Sequence, residues 1–267
     1  MKPVSDDMHA LIRHKLAQIV AEEQVTILFA VESGSRAWGF HSHDSDYDVR
    51  FVYARPVRWH LRIDDRRDVI EYPISDELDI SGWELAKALE LALKSNAVLP
   101  EWLQSPITYA DAPNARTAIA NFCQQVLTRR PVTWHYVNLA QKQRDGLRLP
   151  NGSIKLKRYL YTIRPVLALR HMRLHNHALA PMNMGELMGS TDLPDAVIQY
   201  INAMIATKLD AGELGTSPQT NPAIDDLIAQ ELAAATAWLA QDAPATSPDH
   251  WALANQLHHR LTRAVPE

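Results

Sequence analysis

Small residues and carboxylates in one short stretch of the chain could together hold a triphosphate. Asp46 and Asp48 are separated by one residue at the start of a predicted strand, and Gly34-Ser35 precedes them in the sequence. Residues two apart on a strand project to the same face, so both carboxylates can reach one Mg²⁺, which prefers oxygen ligands and often retains substrate phosphates. A Gly-Ser turn brings backbone N–H groups and a hydroxyl close to phosphate. The pattern predicts a site that binds a nucleoside triphosphate.

A phosphoryl-transfer centre with two cations commonly uses a third carboxylate. Asp79 is the first candidate, because it stands between Leu78 and Ile80 on a predicted strand. Glu77 lies two residues earlier and therefore on the same face, so it remains the alternative.

These residues suggest a division of labour. Asp46 and Asp48 are expected to bind both ions, while Asp79 binds one ion and accepts the proton of an attacking hydroxyl. Ser35 and Arg36 are expected to hold the β- and γ-phosphates, with pyrophosphate as the leaving group.

Three other interpretations of this stretch explain less. Asp44-x-Asp46-x-Asp48 resembles the start of an EF-hand loop, but Val49 replaces the required glycine and Arg55 the required glutamate. The Gly-x-Ser-x-Gly pattern of a serine-hydrolase elbow is absent from the sequence around Ser35. A strand with a solvated polar face would explain the alternating acids, but not the Ser-Gly-Ser-Arg run that precedes them.

Longer motifs carry a resemblance to a known family. Gly34-Ser35 followed by Asp46-Tyr47-Asp48 resembles the signature of the polymerase-beta-type nucleotidyltransferase superfamily. A narrower resemblance, to the nucleotidyltransferases associated with RNA ligases in bacterial and phage RNA-repair neighbourhoods, extends over the runs Glu32–Phe40, Asp44–Arg50, Glu77–Trp83, Lys94–Asn96, Glu101–Pro106 and Lys157–Pro165.

This resemblance implies a mixed β-sheet with flanking helices, two Mg²⁺ ions that Mn²⁺ could replace, and transfer of a nucleoside monophosphate to a hydroxyl. It matches Gly34 and Ser35 to the phosphate-binding turn, Asp46 and Asp48 to the metal pair, and Asp79 to the third acid. An RNA end is implied as the acceptor only because the family is associated with RNA ligases. Transfer to a protein or a small molecule, or a catalytically silent nucleotide-binding protein, remain alternatives.

The order of periodic segments predicts an α+β protein. Predicted strands dominate the first part of the chain, and helical periodicity dominates after Ser105-Pro106. We expect a nucleotidyltransferase catalytic domain over residues 1–110 and an all-helical domain over residues 111–267 that closes the nucleotide cleft.

A predicted helix adds a cationic face. Lys157, Tyr161 and Arg164 follow at i, i+4 and i+7, so they share one side of the helix. They lie within a largely basic block from Arg129 to Arg173, which indicates a local anion-binding surface. We expect Lys157 and Arg164 to contact the triphosphate, Tyr161 the base or sugar, and Lys142 of the preceding helix to join them.

Composition and charge argue against several other classes of protein. The net charge of -4 disfavours a generally basic nucleic-acid binder, and one cysteine, Cys123, excludes an intrachain disulfide framework. Apolar runs fall short of the ~20 residues that span a bilayer, and residues 1–7 are unlike a secretory signal. We therefore expect a cytoplasmic protein without a membrane partner.

Overall fold

The computed structural model describes residues 2–64, 66–74, 77–241 and 249–265. Within these residues the chain forms two compact units. The first contains residues 2–37, 46–127 (with the gaps just given) and 249–265, and the second contains residues 38–45 and 128–241. This division differs from the boundary predicted at residue 110. Helical residues 115–126 bury Ile119 and Phe122 in a core shared with the strands, so they belong to the first unit.

The first unit combines strands with helices on both sides. Its described elements, in chain order, are α1 (Asp6–Glu23), β1 (Thr26–Ser33), α2 (Gly34–Trp38, whose last residue is assigned to the second unit), β2 (Tyr47–Ala54), α3 (Val57–His60), β3 (Val69–Glu71), β4 (Leu78–Glu84), α4 (Leu85–Leu93), α5 (Val98–Gln104), β5 (Thr108–Asp111), α6 (Ala115–Val126) and α12 (Trp251–Thr262). Ser5 caps α1, because its hydroxyl accepts a hydrogen bond from the backbone N–H of Met8.

The strands of the first unit form a mixed sheet. Within the described residues it has five strands in the order β3-β4-β2-β1-β5. β2 and β4 run parallel, and the other neighbouring pairs are antiparallel. The parallel pair brings together two segments that are separated in the chain by a connection containing α3 and β3.

Side chains on the two faces of the sheet belong to separate apolar cores. On β2, Val49, Phe51 and Tyr53 pack into the core that includes Ile12 and Leu16 of α1. Val52, on the alternate face, packs into the core formed with α4, α5, α6 and α12. Because side chains alternate along a strand, Asp48 and Arg50 lie on the same face as Val52, near the start of β2.

The second unit is mainly helical. Its described elements are α7 (Arg129–Asp145), β6 (Ile154–Lys155), α8 (Leu156–His175), α9 (Met184–Gly189), α10 (Asp195–Ala211), β7 (Thr216–Ser217) and α11 (Pro222–Gln241). β6 and β7 form a short antiparallel ribbon that periodicity did not predict. The predicted α+β class, with a mixed sheet followed by helices, is confirmed. None of the described helices has both the length and the apolarity to cross a membrane.

Two boundaries differ from what local sequence rules predict. Apolar spacing of about 3.6 residues begins at Trp83 and predicts a helix there, but Trp83 extends β4, where it pairs with Val52 on one side and Val69 on the other. Pro131 predicts a break between two helices, yet it lies in the first turn of α7. Proline is tolerated there because the N–H it lacks would have no partner within the helix.

Gly82 provides a test of the sheet packing. A Cβ at this position would lie 2.3–2.4 Å from three ring atoms of Phe51, which is fully buried. We expect Gly82→Ala to lower the free energy of unfolding by about 1–3 kcal/mol through overpacking, measured by urea denaturation. Gly189→Ala is the matched control, because a Cβ there would meet nothing within 4 Å.

A double-mutant cycle isolates the predicted clash. Phe51→Leu removes ring atoms, so Gly82→Ala should cost less in that background than in the wild-type protein. Equal costs in the two backgrounds would contradict the packing explanation.

Candidate active site

Asp48 and Asp79 are brought together by the parallel pairing of β2 with β4. In that register Asp48 lies opposite Asp79, and the preceding pair is Tyr47 with Leu78. Their side chains are 29% and 28% exposed, respectively, so both carboxylates remain accessible. The neighbouring strands thus present two acids side by side, while the role of Asp79 as the third acid stays a prediction. Glu77, the alternative, immediately precedes β4 and is exposed.

Asp46 immediately precedes β2 and is exposed. Its backbone carbonyl accepts a hydrogen bond from Nε of Arg36 at 3.1 Å, which fixes the chain at the entrance to the strand. Asp46 therefore lies just before the paired strands that carry Asp48 and Asp79, and not on β2 as its spacing predicts.

Arg50 occupies the space between the two paired acids. Its Nη2 lies 2.7 Å from Oδ2 of Asp79 and 3.3 Å from Oδ1 of Asp48. Its Nη1 donates to the backbone carbonyls of Val49 and Asp79, both at 3.0 Å. The guanidinium offsets the repulsion between the two carboxylates and sets the orientation of Asp79. Sequence reasoning gave Arg50 no role, although the residue alternates with Asp48 on the strand.

Gly34 is required where the turn meets Asp48. It has a φ of +63°, in the left-handed region, and a Cβ there would lie 2.1 Å from Oδ2 of Asp48. Only a residue without a side chain allows the turn to approach the carboxylate this closely. Ser35 follows in α2 and is buried. The predicted phosphate-binding turn and one predicted metal ligand are thus direct neighbours.

Arg36 is buried beside the turn. It is only 5% exposed, and its guanidinium carbon lies 3.7 Å from the centroid of the Tyr47 ring. Besides its bond to Asp46, it donates to the backbone carbonyl of Pro3 at 2.5 Å. These contacts help to shape the turn, and the phosphate contact expected of Arg36 stays a prediction.

A buried acid supports Asp48 from β1. Glu32 is fully buried, and its carboxylate accepts hydrogen bonds from the backbone N–H of Asp48 at 2.8 Å and from the hydroxyl of Tyr109. Burial raises the pKa of Glu32 to about 7, despite these hydrogen bonds. The sequence pattern did not predict this role of Glu32. The signal that could have indicated it is a carboxylate at the end of an apolar strand segment.

The cationic helix face contains residues in unlike environments. Lys157 is partly exposed and forms an ion pair with Glu213, with Nζ 2.6 Å from Oε2. Tyr161 packs edge-on against Trp38, with ring centroids 5.1 Å apart. Arg164 is 2% exposed, which contradicts its expected place on an accessible face. Its Nε donates to the carbonyl of Met182 at 2.9 Å.

The other cation predicted for that group, Lys142, is exposed on α7. Within the second unit, Leu156, Leu160, Ile163 and Leu167 are buried, as their helical spacing predicts. Residues 162–169 of α8 are nevertheless buried on every side of the helix, so the spacing of Lys157 and Arg164 did not distinguish a partly exposed cation from a buried one.

The connector between the turn and the acids, residues 38–45, packs within the second unit. There a buried lysine, Lys208, donates to Oε1 of Glu213 at 2.9 Å and to Oγ of Ser42 at 3.1 Å. Glu213 Oε1 also accepts a hydrogen bond from Ser45 at 2.5 Å. The backbone N–H of Glu213 donates to both carboxylate oxygens of Asp44. This Lys208–Glu213 cluster thus fixes the connector from residues far along the chain.

Residues 8–260 match the RNA repair pathway DNA polymerase beta family. The chain belongs to this family. The predicted resemblance to polymerase-beta-type nucleotidyltransferases is therefore confirmed. An uncharacterized protein, YcgL of Bacillus subtilis (strain 168), is 42% identical over 181 residues, which are 68% of this chain and 69% of that protein.

The crystal structure of a nucleotidyltransferase-like protein from Exiguobacterium sibiricum 255-15 aligns with 96% of this chain and 81% of that chain. The sequence identity is 11% and the TM-score is 0.31.

The Lys208–Glu213 cluster predicts a specific loss of stability in this family member. Glu213→Gln leaves the ammonium of Lys208, whose side chain is 0% exposed, without its anionic partner. We expect a loss of about 3–5 kcal/mol at pH 7, measured by urea denaturation. Lys208→Met combined with Glu213→Gln should recover much of this loss, and equal stability of the single and double variants would contradict the assignment.

The same pair gives a pH dependence. Burial alone would raise the pKa of Glu213, but hydrogen bonds from Lys157, Ser45 and Lys208 lower it to about 2. Because this folded-state pKa lies below the unfolded one, the stabilisation is complete above about pH 4.5 and is lost as pH falls toward 2. The stability difference between wild type and Glu213→Gln should therefore shrink between pH 5 and pH 3. A constant difference would contradict this ionisation.

Proposed function

We propose that this protein is a divalent-metal-dependent nucleotidyltransferase. It transfers a nucleoside monophosphate from a nucleoside triphosphate to a hydroxyl group and releases pyrophosphate. The observation that carries this proposal is the register of β2 and β4, which sets Asp48 opposite Asp79 while Gly34 abuts the Asp48 carboxylate.

The donor set fits hard divalent cations. Asp46, Asp48 and Asp79 supply carboxylate oxygens, which suit Mg²⁺ and Mn²⁺ better than softer metals. The absence of a side chain at Gly34 lets the backbone of the turn lie directly against the Asp48 carboxylate, so a phosphate held by this turn would lie beside the proposed metal ligands. When bound, two such ions would neutralise the triphosphate and activate the attacking hydroxyl.

The protein's own groups would position the reactants. We assign Asp79 as the acceptor of the hydroxyl proton, with its carboxylate oriented by Arg50 at 2.7 Å. Gly34 and Ser35 form the proposed phosphate-binding turn. Glu32 fixes the backbone of Asp48 and keeps that strand in register with β1. In this proposal Arg50 is a positioning residue, because it acts through the two carboxylates.

We infer that the acceptor is the hydroxyl of an RNA end. The description of the family, which places its members in RNA repair, supports this inference. A protein hydroxyl or a small molecule would require the same donor chemistry, so the acceptor must be identified by the product that forms.

Labelled nucleotides test the reaction and its acceptor together. The full chain is incubated with each α-labelled ribonucleoside triphosphate, Mg²⁺ or Mn²⁺, and RNA with free 3′ hydroxyls. We expect label on RNA and an equal amount of pyrophosphate. Label on the protein or on a small molecule would overturn the RNA acceptor, and no transfer to any acceptor would overturn the enzymatic proposal.

Substitution of the acids tests the mechanism. Because Asp46 and Asp48 are proposed metal ligands, Asp46→Asn combined with Asp48→Asn should lower kcat by at least about 10³-fold, with far-ultraviolet circular dichroism unchanged. Asp79→Asn should lower kcat comparably, whereas Glu77→Gln should not.

Asp111→Asn is the control for this series, because it makes the same chemical change on β5 of the same sheet. Full activity of the Asp46/Asp48 double variant would exclude the mechanism. If Glu77→Gln lowers kcat more than Asp79→Asn does, Glu77 and not Asp79 is the third carboxylate.

A further inference from the structure

Three metal-binding side chains meet in the first unit, on residues to which the proposed reaction assigns no role. His60 ends α3, Glu84 ends β4, and His258 lies on α12. Each offers one ligand atom, and these atoms all lie within 4.8 Å of one another. The residues come from distant parts of the sequence, so their meeting is a product of the fold and not of local spacing.

Two ligand atoms in this cluster are buried without a hydrogen-bond partner. They are Oε1 of Glu84 and Nε2 of His60. Glu84 is only 1% exposed, and its other carboxylate oxygen caps α4 by accepting the N–H of Ala86 at 2.6 Å. A buried polar atom without a partner costs about 1–3 kcal/mol, and a bound ion beside Glu84 and His60 would offset this cost.

The imidazoles are prepared for coordination. Nε2 of His60 is buried and has no hydrogen-bond partner among the described residues, so its lone pair is available to a metal ion. The ring of His258 faces that of His60, with the two ring centroids 5.0 Å apart, so both imidazoles adjoin the same space.

The nearby cation does not prevent metal binding. Arg55 is compensated by Glu23, since its Nη2 lies 2.9 Å from Oε2 of that carboxylate. Its Nη1 donates to the backbone carbonyl of Glu23 at 2.7 Å. Arg55 therefore forms its ion pair with Glu23 and not with Glu84.

We propose that His60, Glu84 and His258 bind a zinc ion. Two imidazole nitrogens and one carboxylate oxygen are a ligand set that Zn²⁺ takes, with a fourth position for water. Ligand atoms around tetrahedral zinc are about 3.3 Å apart, so small rotations of the histidine side chains would close the site. Mg²⁺ is excluded as its occupant because it prefers an all-oxygen shell.

The zinc ion would attach the C-terminal helix to the sheet. α12 contributes Ala254 and Leu257 to the core of the first unit, and His258 follows directly. Coordination would join this helix to the ends of β4 and α3. Because these residues are distinct from Asp46, Asp48 and Asp79, the zinc site serves stability, and the proposal does not depend on nucleotidyl transfer.

Binding of Zn²⁺ and Co²⁺ to the full chain tests the proposal. The tested chain carries His171→Gln, which removes the other close histidine pair, His171 and His175, as a competing zinc site. We expect one zinc ion per chain by elemental analysis after dialysis, and Co²⁺ absorption near 600 nm typical of tetrahedral coordination. Zinc should raise the melting temperature, and a chelator should reverse the increase.

Variants locate the ion. His258→Gln and Glu84→Gln should each weaken zinc binding by at least about 100-fold and abolish the zinc-dependent increase in melting temperature. His259→Gln, at the exposed neighbouring position, should retain both. Absence of zinc and cobalt binding in the parent chain would overturn the proposal. So would unchanged binding in His258→Gln, whatever its stability without metal.

Discussion

The pairing of β2 with β4 is the constraint on which the candidate site depends. It is the parallel pair in the described sheet, and its register sets Asp48 opposite Asp79. A shift of one residue would turn one of the two carboxylates to the opposite face of the sheet. Arg50 reinforces the register by bonding to the side chains of both acids and to the backbone of β4. The same contacts that stabilise the sheet therefore determine the geometry proposed for catalysis.

Sequence patterns predicted the features that rest on local spacing. Alternation placed Asp48 on a strand, the Gly34 turn was recognised from its residue types, and apolar periodicity identified buried residues of α8. The family membership followed from the same motifs. These features could be predicted from the sequence because each depends on a few neighbouring residues.

Contacts between distant residues were beyond this reasoning. Nothing near Glu32 indicates that Tyr109 will donate to it, and nothing near Ser42 indicates Lys208. The guanidinium of Arg164 lies at a helical spacing that fits an exposed face, yet tertiary packing buries it. Burial is decided by the whole unit, and so is the assignment of α6 and α12 to the core beneath the sheet.

The Lys208–Glu213 cluster has a consequence for dividing the protein into parts. A fragment ending at residue 127 would contain Gly34, Asp46, Asp48 and Asp79, which are the glycine of the proposed phosphate-binding turn and the three proposed metal ligands. It would nevertheless lack the ammonium and the carboxylate that hold Ser42 and Ser45. The connector between the turn and the acids would lose the partners that shape it. The shortest fragment that keeps this connector in place is therefore longer than the span of the motifs to which the activity is assigned.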